Sequence, residues 1–454
     1  MSEHDPQGSE ELRHTPGEES KLEKTLGPLM LWGLGVGYVI SGEYFGWNLG
    51  LPQGGTYGML VATVLVTVMY VTFVLSYAEI SNAIPRAGGA FVYADRAWGR
   101  DVGFLVGVAQ LIEFVFAPPA IAFAIGAYFQ IFLPTVPAGA IAVVAYLLFT
   151  GLNIYGVKQS AVFELAVTIL AVGELLLFAG LTLPAFSWEA FTREPLPHGW
   201  LGVLPAIPFA IWFYLAIEGI ANVAEEARDP QKDLTKGFGF AMGTLVFLAL
   251  LTFVAAVGVA GWKGIVYDAA GAESDNPLPL ALAHVVGKGH SLYHLLVGIG
   301  LLGLIASFHG IILVAGRATL EFGRVGYLPR PIGKTLPQRH TPAAALLLNM
   351  LVGFVALATG KTGEIITMSV FGALTLYAGS MLSLFRLRQT EPELERPFRA
   401  PLYPVFPGLA LALALLCLVA VTVYNWQIAL IYGGIMLGSL ILFRIIKPGQ
   451  AEEA

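Results

Sequence analysis

The stretch Gly37-Tyr-Val-Ile-Ser-Gly-Glu-Tyr-Phe-Gly-Trp-Asn-Leu-Gly-Leu-Pro52 lies inside the first long apolar run and carries an ionisable side chain at its middle. The run from 28 to 51 is long enough to cross a bilayer, which takes about 20 residues. It nonetheless holds Gly33, Gly35, Gly37, Gly42, Gly46 and Gly50, with Glu43 at mid-depth. A carboxylate at the bilayer centre costs at least about 2.5 kcal/mol, so such a group faces a cavity or a partner and marks a pathway. Gly42 frees the backbone where Glu43 sits. The stretch therefore predicts a helix broken at the midplane, a device tolerated only where loose backbone lines a protein cavity.

Working outward, the chain has 454 residues, 56% hydrophobic and 12% charged. Soluble globular proteins carry about 25% charged residues, so this is an all-α polytopic membrane protein by composition. The first 24 residues hold seven acids, three bases and no apolar core of a signal peptide; residues 1–27 are expected to form a disordered cytoplasmic tail. Cys417 is the single cysteine and lies in an apolar run, and the eight histidines show no ligand or nucleophile–base spacing. An enzyme is not expected, nor a metal or cofactor. The partners expected are the bilayer and a small molecule, not nucleic acid.

Twelve apolar runs of spanning length follow one another: 28–51, 57–80, 102–130, 136–155, 160–184, 203–225, 235–261, 291–316, 342–359, 365–385, 402–423 and 426–446. An even count puts both ends on one side. Only Arg193, Lys263, Lys288 and Lys361 fall on the other side, leaving 21 of the 25 Lys and Arg with the termini. By the positive-inside rule both termini are expected in the cytoplasm, with the chain in the cell membrane. The sixth run is interrupted like the first: Trp212-Phe-Tyr-Leu-Ala-Ile-Glu-Gly-Ile-Ala-Asn222 carries Glu218-Gly219 near mid-depth. Breaks at matching places in two halves point to a midplane substrate site in a secondary transporter. The halves are then 28–184 (spans 1–5) and 203–386 (spans 6–10), two inverted repeats, with spans 11 and 12 at 402–446 and a short tail at 447–454. Between spans, 84–99 mixes bases and aromatics at interfacial helix spacing. Residues 229–236 read as a charged, Pro-marked turn, and 317–339 as a short basic amphipathic helix and loop.

These residues resemble the amino acid/polyamine/organocation transporter superfamily. The resemblance runs from about Gly27 to the last spans. It rests on the first-span break, Pro85-Arg-Ala-Gly-Gly-Ala-Phe-Val-Tyr, the Trp212 to Glu218 segment followed by Glu225-Glu-Ala-Arg-Asp-Pro-Gln-Lys-Asp, and Gly326-Tyr-Leu-Pro. It implies a leucine-transporter-like five-plus-five fold working by alternating access. In amino-acid carriers of this superfamily the first break resembles Gly-Ser-Gly, whose N–H groups hold the substrate carboxylate; here the positions read Ser41-Gly42-Glu43. If a half-helix starts there, Glu43 satisfies its positive end and repels a substrate carboxylate. The expected ligand is an amine without one. The string Ile40-Ser-Gly-Glu-Tyr-Phe-Gly-Trp-Asn-Leu-Gly is similar to the bacterial ethanolamine permease branch, which implies ethanolamine import. An amino-acid permease is the competing reading, and an amine sensor a more distant one.

Glu43 reads either as the ammonium counter-charge or as a structural cap, with Ser41 and Gly42 offering backbone groups. Trp212 matches the position of an aromatic gate in related carriers and suits an ammonium by cation–π attraction, or else packs. Phe213 and Tyr214 are neighbours in that role, with Tyr214 reaching a substrate hydroxyl. Glu218, with Gly219, reads as a proton or cation site beneath the substrate, or as a buried acid bonded to backbone. Glu113 and Phe116 lie one turn apart before Pro118-Pro119 and can share a cavity face. For coupling the candidates are Glu218, Glu174, Ser307 and His309. Related proton-coupled carriers place a Lys in span 5 near the position of Ala171, where this sequence has none. Sodium is not favoured either. Glu164 is expected near the cytoplasmic end, in solvent.

Overall fold

The computed structural model describes residues 24–156 and 161–446. Of the tails expected over 1–27 and 447–454, residues 1–23 and 447–454 lie outside the described residues, as does 157–160, whereas 24–27 are ordered, with Leu26 buried. Among the described residues the chain is almost wholly helical and forms no strand, only isolated bridges such as Leu26 with Ala227. Ten helices among the described residues are long and apolar enough to cross a membrane. The two further expected spans are shorter. Span 9 is Ala343–Leu357, and span 1 is divided between the helix Pro28–Val39 and the pieces that follow it. Each of the twelve runs read from the sequence thus contains helix among its described residues.

Span 1 breaks later than the sequence suggested. Ile40 keeps right-handed helical geometry and Ser41–Tyr44 forms one more turn, so Gly42 and Glu43 are still helical. The chain then stretches out at Phe45 (φ −161°, ψ 173°) and turns at Gly46, whose φ of +90° suits glycine. A 3₁₀ turn, Trp47–Gly50, resumes the helix, and Gly55 (φ +61°) separates it from span 2 within Leu51–Ala83. Span 6 breaks the same way. Val203–Trp212 ends, Ala216 adopts φ +75°, and a 3₁₀ helix, Ile217–Glu226, carries the chain out.

Small residues let the broken spans touch. A Cβ on Gly42 would collide with the Trp212 carbonyl, and one on Gly46 would stand 2.5 Å from the Trp212 ring. The two breaks therefore cross backbone to backbone. Span 5, Ala161–Thr182, lies against the first half of span 1 for the same reason: a Cβ on Gly33 would come within 2.8 Å of Leu165, and one on Gly37 within 2.6 Å of Glu164. This close approach overturns the expected solvation of Glu164, which is buried with both carboxyl oxygens unpartnered.

Two loop readings change as well. Pro230 opens the helix Pro230–Val266 at its first turn, where a missing N–H costs nothing. The basic helix expected in 317–339 is the end of span 8, Ser291–Arg324, continuing beyond the apolar run. Within 84–99, where the sequence has interfacial helix spacing, Ala90–Trp98 forms a helix.

The motifs quoted for the resemblance gather at one end of the bundle. Ala87 N–H donates to Glu225, Gln110 donates to the Gly88 carbonyl, and Arg317 pairs with Glu226 at 2.7 Å. Tyr327 donates to Asp95 and packs on Phe104 and Phe322. Thr25 and Leu26 donate to the Glu226 carbonyl, and Arg444 pairs with Asp101 at 2.5 Å, which brings both ends of the described chain to this face.

Candidate functional site

Glu43 is fully buried and neither carboxyl oxygen has a hydrogen-bond partner. Its own N–H is spent on the Ile40 carbonyl at 3.0 Å, because the turn is still helical there. The expected capping role is absent: the N–H of Gly46, at the start of the second half, is taken by Asn48 Oδ1 at 3.0 Å. No basic side chain stands against Glu43 among the described residues. An ionised carboxylate in so dry a place needs a cation or a proton.

The surroundings are aromatic and closed. Trp212 is buried edge-on against Phe45 (5.5 Å between centroids), with its indole N–H unpartnered. Phe213 stacks on Trp47 at 5.6 Å. Tyr214 donates to or accepts from Thr67 at 2.7 Å and lies against Tyr70. Phe116 is half-buried and makes no ring contact with the breaks among the described residues. On the other flank Ser307 Oγ pairs with Ser41 Oγ and the Tyr38 carbonyl, each at 2.9 Å, joining span 8 to the end of the first half-helix. Gly219 faces the Tyr38 ring.

Glu113 and Glu218 form a second acidic group. Glu113 Oε1 accepts from the Ala216 N–H at 3.2 Å, holding the left-handed corner of span 6. The Tyr377 hydroxyl of span 10 lies 3.3 Å from Glu113 Oε1 and 3.1 Å from Glu218 Oε2, and Tyr70 lies 2.9 Å behind it. Glu113 thus belongs with Glu218 rather than with Phe116.

The remaining candidates separate. Glu174 Oε2 accepts from Tyr44 at 2.7 Å, and the Ala171 carbonyl lies 3.2 Å from the same hydroxyl. His309 is buried against Phe149, with Nδ1 unpartnered. Sequence reasoning missed Tyr377, Tyr70, Thr67 and Asn48. The signal for them was weak, since aromatic residues make up 12% of the chain and a single Tyr or Thr in a span is ordinary.

Above the site, on the face away from the termini, residues 274–276 strap three spans together. Asn48 donates to the Ser274 carbonyl (2.8 Å), Thr362 to Asp275 (2.8 Å), and Asn276 to the Ala127 carbonyl (3.4 Å). Beside the strap a cavity of about 310 Å³ is lined by Gln130, Asn276, Lys288, Tyr293 and His294. Glu43 lies buried between this strap and the motif-rich end.

A family model described as amino acid permease matches residues 26–444. The chain belongs to that family. An uncharacterised transporter of Rhizobium meliloti is 28% identical, covering 87% of this chain and 86% of its own. The branched-chain amino acid permease BcaP of Bacillus subtilis is 26% identical (91% and 90% covered), and the low-affinity putrescine importer PlaP of Escherichia coli is 25% identical (81% and 82%). The chain is accordingly a multi-pass secondary transporter of a small molecule, built on the permease fold. BcaP and PlaP bear different substrate names, so the family leaves the ligand open.

Proposed function

We propose that this protein imports a small amine without a carboxylate, ethanolamine by the resemblance of its first break, across the cell membrane with both termini in the cytoplasm. One observation supports this above the others. Glu43 is a buried, unpartnered carboxylate that caps nothing, at the crossing of the two breaks. A substrate ammonium supplies the missing charge, and a substrate carboxylate would be repelled. Trp212 offers a desolvated aromatic face, worth about 2 kcal/mol to an ammonium. Tyr214 and Ser41 are hydroxyls suited to an alcohol group. In this reading spans 1–5 and 6–10 are inverted repeats, and their broken members move against the others to expose the site to each side in turn. The membrane potential alone drives a cation inward by about 2.3 kcal/mol per 100 mV.

Counterflow into proteoliposomes preloaded with unlabelled ethanolamine tests the reading. Labelled ethanolamine should exchange, with ethanolamine competing and serine failing to compete. Exchange of serine in its place would favour an amino-acid permease, the reading that the BcaP likeness supports.

A further inference from the structure

Glu113 and Glu218 come from different parts of the bundle, span 3 and the second half of broken span 6, yet their carboxyls meet within hydrogen-bonding reach of one another around a single hydroxyl, Tyr377. Both are buried, and Glu113 Oε2 and Glu218 Oε1 lack any partner. Among the described residues the ionisable groups facing the pair are Tyr70 and Tyr77 from span 2, Tyr377 from span 10, and Cys417 from span 11 through Tyr70; none of these is basic. The donors around the pair, among the described residues, are too few for two carboxylates. Tyr377 has one proton to give, the Ala216 N–H serves one oxygen of Glu113, and the backbone N–H of Glu218 serves its own carboxyl, which still leaves Glu113 Oε2 and Glu218 Oε1 without a donor. Like charges so close cannot both be ionised in a dry interior, and the smallest cation that fits between the groups is a proton.

We infer that Glu113 and Glu218 form a proton-carrying pair, holding one shared proton while the site is occluded and releasing it when span 6 moves away from span 3. In the closed state a proton bonded to one carboxyl oxygen is donated to the other carboxylate, leaving the pair with one negative charge. When the half-helix Ile217–Glu226 swings toward the terminal face, Glu218 parts from Glu113 and water reaches both. Each carboxyl can then ionise separately, and the proton passes to that water; return to the outward-facing state reloads the pair from the other side. One proton therefore enters with each substrate. Glu43, outside this group, remains free for the ammonium.

The inference rests on the carrier reading, and the tests keep the two apart. Wild-type counterflow at equal pH, with no gradient, tests the carrier alone. With potassium and valinomycin clamping the potential, a pH dye trapped in the liposomes should report lumen acidification accompanying ethanolamine entry, and acidification should be lost in Glu113→Gln and Glu218→Gln. Counterflow without acidification overturns the proton pair and leaves the carrier standing, as does acidification retained in both variants. Should ethanolamine fail to exchange, or a variant fail to fold, infrared spectra of the wild type near pH 7 decide. A protonated-carboxyl C=O band that shifts in Tyr377→Phe supports the pair; no such shift overturns it.

Discussion

The carbonyl of Trp212 occupies the place where any side chain on Gly42 would begin, so the two interrupted helices cross with nothing between them but backbone. Gly42→Ala must push them apart. Overpacking of this kind costs about 1–3 kcal/mol. Gly180→Ala, on span 5 with open space around it, is the control and should melt like the wild type. Thermal unfolding in detergent checks this; equal melting of the two variants would remove the crossing as a structural constraint.

Glu79 anchors the motif-rich end. This buried carboxylate of span 2 receives two hydrogen bonds from Arg388 (2.8 and 2.6 Å) and one from the Ala400 N–H (2.7 Å), with Arg396 3.4 Å away. Removing one partner of a buried pair costs about 3–5 kcal/mol, because the other charge is left uncompensated. Glu79→Gln should lower the unfolding temperature by far more than Glu189→Gln, whose ion pair with Arg193 is exposed at the opposite face. Similar small losses would contradict the anchoring role.

Asp275, in the loop between spans 7 and 8, is expected to give the strap a pH dependence. Burial raises its carboxyl from 3.8 to about 6, partly opposed by the Thr362 hydrogen bond. The group is hydrated and ordinary when the strap opens, so closing takes up a proton. The contribution to the closed state is fully present below about 3.8 and is lost as pH rises through about 6. A distance probe across the strap should show more closed protein at pH 5 than at pH 7, and Asp275→Asn should abolish that difference. A pH response unchanged in the variant would assign it elsewhere.

Asn48 ties the strap to the break, since its amide oxygen caps Gly46 and its nitrogen donates to the Ser274 carbonyl. Losing a cap costs about 1 kcal/mol. Asn48→Ala should shift the strap probe toward the open state at every pH, and an unshifted probe would break the link between cap and strap.

The spans were legible because a bilayer demands a fixed length of apolar chain, and the positions of the twelve runs follow from that alone. That spans 1 and 6 break was legible too, from Glu43 and Glu218 set beside glycines. The residue at which span 1 breaks was not. Six glycines in one run leave the corner free to form at several places, and Phe45-Gly46 is chosen by the contact of Gly46 with Trp212. Glu164 was misplaced because its burial depends on Gly33 and Gly37 of another span. The Glu113–Glu218 pair was invisible because the residues are far apart in sequence and only the fold brings them together around Tyr377.

The central claim is that Glu43 supplies the charge that holds an ammonium. Saturable uptake of labelled ethanolamine by purified wild type and Glu43→Gln in proteoliposomes tests it most directly. The account predicts that the variant folds, melts near the wild type because Glu43 caps nothing, and loses saturable uptake. A fully active Glu43→Gln protein would contradict it.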